Sequence, residues 1–207
     1  NATRIGVDRS IGDSPDHFSG VMIPQPSLVT LVDRFYEDPA VLGRFSLVHA
    51  WELPKDFRRL LAHHEHMTVT VEAYHGCPVD VEVLQERKAG SRYERKIVLR
   101  RQNDSMVVLF GLVNLQTRFL DEVVRDEILA KRIPLGRVLI NHNVMRVVRL
   151  AELWKVLCGP ELAESFDVPV GTVTYGRTAM IHFDQQPALE LLEIVAPLSQ
   201  SRRTLSG

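Results

Sequence analysis

Polar and apolar residues alternate most clearly between Pro78 and Leu115. After Pro78, Val79, Val81 and Val83 share one face and Asp80 and Glu82 the other, the period of a half-buried strand. Lys88-Ala-Gly90 reads as a turn, and Ser91–Arg100 as the next strand. One face of that strand carries Tyr93, Arg95, Ile97 and Leu99. The other carries Glu94, Lys96, Val98 and Arg100 and is expected to be half-solvated. Asn103-Asp104 marks a further turn, and Met106–Leu115 is nearly all apolar, as expected of a central strand. Val144–Trp154 and Gly171–Phe183 read as two more strands, and Asp184-Gln-Gln-Pro187 turns into a last one ending near Pro197.

Helical spacing fills the gaps. Leu28, Leu31, Val32, Phe35, Val41, Leu42 and Phe45 fall at helical intervals, interrupted at Pro39. A short helix is expected from Pro54, with Phe57, Leu60 and Leu61 buried. In His63–Gly76, Met67, Val71 and Tyr74 suit one helix face and Gly76 a helix stop, while the β-branched residues leave a strand as the alternative. Arg118–Arg132 predicts a helix with Phe119, Val123 and either Ile128 or Leu129 inward. Pro134–Leu139 opens another, with proline at its first position. Cys158–Pro169 reads as a loop with one helical turn. Residues 1–26, rich in Ser, Asp, Gly and Pro, are expected to form a loose arm, and 27–207 a single domain. Strands joined by tight turns, with helices grouped between them, define an α+β fold: one antiparallel sheet with helices inserted and packed over one face.

Composition narrows the function classes. Basic and acidic residues nearly cancel, 25 against 26, so no global field favours nucleic acid or an anionic membrane, and neither partner is expected. No apolar run approaches the length of a membrane span. Two isolated cysteines and no hydrophobic signal region lead to the expectation of a cytoplasmic protein.

Arg95 is the residue that asks for an explanation. Its face is otherwise apolar or aromatic, and a guanidinium cannot deprotonate to escape burial. On the last strand Glu193 shares a face with Leu189, Leu191 and Val195, and Arg177 lies inward between Tyr175 and Ala179. Inward charges of opposite sign predict either a buried ion pair or a polar pocket. Two cations against one carboxylate lean toward a pocket completed by an anionic ligand.

Other chemistry finds little support. His63, His64, His66 and His75 cluster in sequence, but no third ligand stands at a metal-binding spacing, and no metal is expected. Neither Cys77 nor Cys158 has a base or an electropositive setting in sequence. No nucleophile elbow or phosphate-cradling glycine loop occurs.

Several collinear pieces resemble the chorismate pyruvate-lyase superfamily. His66-Met67-Thr68, followed by Glu72, is similar to the family's Met-Thr helix segment, and Arg95-Lys96-Ile97-Val98-Leu99 to its arginine strand. Pro134-Leu135-Gly136-Arg137-Val138-Leu139 resembles its Pro-Leu-Gly element, and Glu193, four residues before Pro197, the glutamate of its closing strand. The resemblance implies a cofactor-free lyase that eliminates pyruvate from chorismate to leave 4-hydroxybenzoate. It implies that Arg95 binds the ring carboxylate, that Glu193 meets the 4-oxygen, and that Met67, Thr68, Leu135 and Gly136 enclose the ring. Where the family's ubiquinone-pathway enzymes carry a second arginine, this chain has Phe110-Gly111-Leu112, and Arg177 is the candidate replacement. The same fold serves effector-binding domains of regulators, so the alternative is a non-catalytic binder of an aromatic carboxylate.

Overall fold

A computed structural model describes residues 26–198. The expected arm therefore lies outside the described residues except for Pro26, as do residues 199–207. Seven strands form one sheet: β1 (Gly43–Val48), β2 (Val79–Ala89), β3 (Arg92–Arg101), β4 (Val107–Gln116), β5 (Arg146–Cys158), β6 (Val173–Phe183) and β7 (Gln186–Val195). Their order is β1-β5-β6-β7-β4-β3-β2, with every neighbouring pair antiparallel. The α+β class and the single antiparallel sheet are as expected.

Six α-helices among the described residues pack on this sheet. α2 (Lys55–Leu61), α3 (Met67–His75), α4 (Glu122–Ala130) and α5 (Leu135–Asn141) share a face. There they bury the odd-numbered residues of the central strands: Ile97, Leu99 and Leu109 under α2 and α3, and Val113, Leu115, Leu189 and Leu191 under α4 and α5. The opposite face is also covered. α1 (Leu28–Asp33) and α6 (Pro160–Phe166) pack on Val98, Phe110, Leu112, Leu192 and Ile194. The face of β3 expected to be half-solvated is thus largely enclosed, with Glu94 buried and paired to Arg34 at 2.7 Å. Leu28, Leu31 and Val32 are almost fully buried and account for α1, each contributing roughly 1.5–3 kcal/mol.

Four local expectations are corrected. Phe45 lies in strand β1, not in a helix, because Gly43 lets the chain approach β5; a Cβ there would sit 2.5 Å from the Leu157 carbonyl oxygen. Val123 points to solvent, 67% exposed, and Val124 and Ile128 form the buried side of α4. Pro134 caps α5 from outside its first turn, and α6 is a helix of seven residues where one turn was expected.

Candidate functional site

The site forms where the α3 and α5 N-termini meet the inner sheet face. Gly76, in the left-handed conformation at φ 67°, ends α3 and sends the chain into β2. Val81 then pairs with Leu99 and Val83 with Ile97. A bulge between Val83 and Gln85 shifts the register, so Glu86 rather than Gln85 stands opposite Arg95. Glu86 does not bond Arg95. It accepts from the Tyr93 hydroxyl at 2.8 Å and from Lys131 at 2.9 Å.

Arg95 is 1% exposed, and its Nε and Nη1 have no hydrogen-bond partner among the described protein groups. Its guanidinium carbon lies 6.0 Å from the centre of the Tyr93 ring. Burial pushes its pKa down; the Tyr93 phenol and the Glu86 carboxylate act in the opposite direction. The same burial pushes the Tyr93 phenol up to about 12, helped by its bond to Glu86.

Beside Arg95 is a cavity with about 50 Å³ open to the centres of water molecules, room for a few waters. Met67, Thr68, Arg95, Leu135, Gly136 and Glu193 all line it, so six of the residues singled out in the sequence converge on one space. Gly111 forms part of the floor, where a Cβ would come within 3.1 Å of the Ile97 side chain. Gly136 lets α5 approach α3; a Cβ there would meet the Thr68 hydroxyl at 3.0 Å.

Arg177 does not line this cavity. It is 1% exposed, and its Nε donates to Glu193 Oε2 at 2.8 Å. Its remaining nitrogens donate to the carbonyls of His63 (3.0 Å) and Glu65 (3.1 Å). The partner of Glu193 is therefore Arg177 and not Arg95, because the two face each other directly in the β6–β7 register. One half of the sequence dichotomy applies to each arginine. Arg177 makes the buried ion pair, and Arg95 faces the pocket alone. Leu112 is packed against the other face with α1 and α6, so a side chain at its position points away from the cavity.

The histidines have separate tasks. His63 and His64 bond the Leu60 and Val148 carbonyls at 2.6 and 3.3 Å. Among the described residues no group of three or more His, Cys, Asp and Glu is placed to hold a metal ion. His66 precedes α3, lines the cavity, and accepts a hydrogen bond from Arg146 Nε at its Nε2. A guanidinium can only donate, so the proton of neutral His66 resides on Nδ1. Burial, then Arg146 and Arg177, pushes its pKa down to about 4. Its folded pKa lies below the unfolded value, so its contribution is complete above about pH 6.5 and is lost as pH falls toward 4. Thermal unfolding between pH 7 and 4 should show a loss on the order of 2 kcal/mol, discounted for partial exposure. His66→Gln, which keeps an acceptor without a titrating ring, should flatten that slope.

The His66 and Tyr93–Glu86 contributions were missed in the sequence. His66 carried a signal as the residue before Met-Thr, but Glu86 depends on a bulge that no local pattern announces. Glu72, beside the same motif, accepts from the Val79 amide at 3.2 Å and pairs with Arg137, a tie between α3, β2 and α5.

Together these features define an α+β domain with a partly enclosed, net-positive cavity. The pair Arg177–Glu193 is neutral, His66 is neutral at pH 7, and Arg95 adds its charge to the positive end of α3. No protein-family model matches the sequence, and no curated protein matches it. Solved structures with partial likeness include the ligand-binding domain of a GntR-family regulator from Bordetella bronchiseptica, at 16% identity and TM-score 0.46, covering 59% of this chain and 86% of that one. PhnF from Mycobacterium smegmatis aligns at 10% identity and TM-score 0.48, over 63% of each chain. The C-terminal domain of the histidine utilization repressor from Pseudomonas syringae aligns at 10% identity and TM-score 0.41, over 62% of this chain and 96% of that one. No helix among the described residues is long and apolar enough to cross a membrane.

Proposed function

We propose that this domain binds a small organic carboxylate in the cavity between the sheet and helices α3 and α5, with the carboxylate on Arg95, and releases it unchanged. The observation that carries this reading is Arg95 itself: a permanent cation, 1% exposed, with two nitrogens unpartnered at the wall of a cavity. A buried guanidinium of this kind is stabilised by an anion that accepts both bonds at once. The apolar walls, among them Met67, Leu109, Leu135 and Leu191, suit an apolar body behind the carboxylate, and a ring requires these walls to move apart.

Binding without turnover accounts for more of the geometry than catalysis does. Glu193 is tied to Arg177, and the tie also anchors the 63–65 loop. The cavity wall holds no second cation for a dicarboxylate. Elimination of pyruvate from chorismate is the second reading, favoured by the presence of Glu193 on the same wall as Arg95. There Arg95 holds the ring carboxylate, and Glu193 accepts a hydrogen bond from the oxygen left after the ether breaks.

One experiment separates the two. The protein is titrated calorimetrically with 4-hydroxybenzoate, with the uncharged 4-hydroxybenzyl alcohol and with chorismate, and the chorismate sample is chromatographed for pyruvate. Saturable binding of the acids, none of the alcohol and no pyruvate is expected. Pyruvate formed at a rate proportional to protein would establish the lyase instead, and equal affinity for the alcohol would remove Arg95 from the site.

A further inference from the structure

The near-cancellation of charge along the chain conceals a local excess. Where the β2–β3 turn meets the end of β4 and the flank of α4, Lys88, Arg92, Arg118 and Arg125 line one concave opening of about 470 Å³. It shares no lining residue with the Arg95 cavity, although Tyr93 on its wall neighbours Arg95. No carboxylate is among its walls. Lys88, Arg92 and Arg118 are exposed and make no ion pair among the described residues, and Glu86, bonded to Lys131 and Tyr93, acts on Lys88 at longer range. Arg125 is paired with Glu122 and Asp126 at 3.3 Å each, so the cations of the opening without an ion pair are Lys88, Arg92 and Arg118.

Scattered surface cations are ordinarily solvated and interleaved with carboxylates. These four come from separate elements and converge on a concave surface, and the repulsion left among Lys88, Arg92 and Arg118 is relieved by solvent or by a bound anion. Two of them are also held in place. Lys88 Nζ lies 5.7 Å from the Tyr93 ring centre, and the Arg118 guanidinium 4.7 Å from that of Phe119. The Thr117 hydroxyl and amide both donate to the Ser91 carbonyl, at 2.9 and 2.8 Å, and so lock the end of β4 to the β2–β3 turn. The cations thus stand on a fixed base.

Lys88, Arg92 and Arg118, the three cations without an ion pair, together exceed what one carboxylate neutralises. A phosphoryl group carries about −1.5 to −2 charge and three acceptor oxygens, which match guanidinium forks. We infer that this opening is a second anion site, one that takes the diphosphate group of a small molecule.

The test is calorimetric titration of the full chain with inorganic pyrophosphate and, separately, with inorganic phosphate, at low and high salt. Saturable pyrophosphate binding, at least tenfold tighter than phosphate and weakened by salt, is expected. Arg92→Ala/Arg118→Ala should lose at least tenfold in affinity. Arg44→Ala/Lys155→Ala, which removes two exposed charges on β1 and β5, should bind as the parent does. Arg95→Met should also retain pyrophosphate, which distinguishes this site from the carboxylate cavity. The inference is overturned by absence of binding, by equal affinity for phosphate and pyrophosphate, or by equal losses in the two double variants. Loss in Arg95→Met would likewise overturn it, by moving the anion into the cavity.

Discussion

Arg95→Met should unfold at a higher temperature than the parent protein and lose its affinity for carboxylates. Both effects follow from the same two unpartnered nitrogens. Arg95 is buried without an ion pair, and replacing such a charge by an apolar side chain of similar length removes the desolvation cost. The expected gain is about 2 kcal/mol, or roughly 4–8 °C in Tm for a domain of this size. In the ligand-bound state the same residue supplies charge-assisted bonds, so affinity for 4-hydroxybenzoate should fall by about 100-fold or more, on the order of 3 kcal/mol. Calorimetry and thermal unfolding of the one variant measure both. A variant that is less stable than the parent, or that binds carboxylate normally, would show that Arg95 is a structural residue.

Arg177→Met should have the opposite outcome for stability. Arg177 is fully engaged, bonded to Glu193 and to the carbonyls of His63 and Glu65. Its removal leaves a largely buried carboxylate and two loop carbonyls without their donor, a loss of about 3–5 kcal/mol. The Arg177→Met/Glu193→Leu double variant removes both charges and should recover most of that loss, since the Coulombic gain of a buried pair roughly cancels its desolvation. Denaturant unfolding of the single and double variants checks this. A single variant losing less than about 1 kcal/mol would contradict the role of Arg177 as anchor of the loop before α3. That loop carries His66, so the single variant should also bind carboxylate more weakly.

The contrast between these arginines marks the boundary of what local pattern reveals. Each was readable as inward from period-2 alternation, Arg95 beside Ile97 and Arg177 beside Ala179, because a strand exposes its side-chain direction in its sequence. Which arginine meets Glu193 was not readable. That depends on β6 and β7 being neighbours in a register that sets Arg177 opposite Glu193, whereas β4 separates Arg95 from β7. The Phe45 segment shows a related limit. Leu42 and Phe45 stand three apart, which fits a helix turn, and only pairing with β5 makes the segment a strand. The same holds for the bulge after Val83, which brings Glu86 level with Arg95 without bonding it.

The sequence by itself determined the α+β class, the order of nearly all elements, and the inward direction of Arg95, Arg177 and Glu193. These depend on periodicities of 2 and 3.6 residues, which are properties of short stretches. Only the tertiary structure decided that Met67, Thr68, Leu135 and Gly136 close a cavity beside Arg95, that Glu193 is already paired, and that four scattered cations share one opening. Those facts are distances between segments far apart in the chain. They are set by strand order, register and helix packing, which local patterns constrain but do not specify.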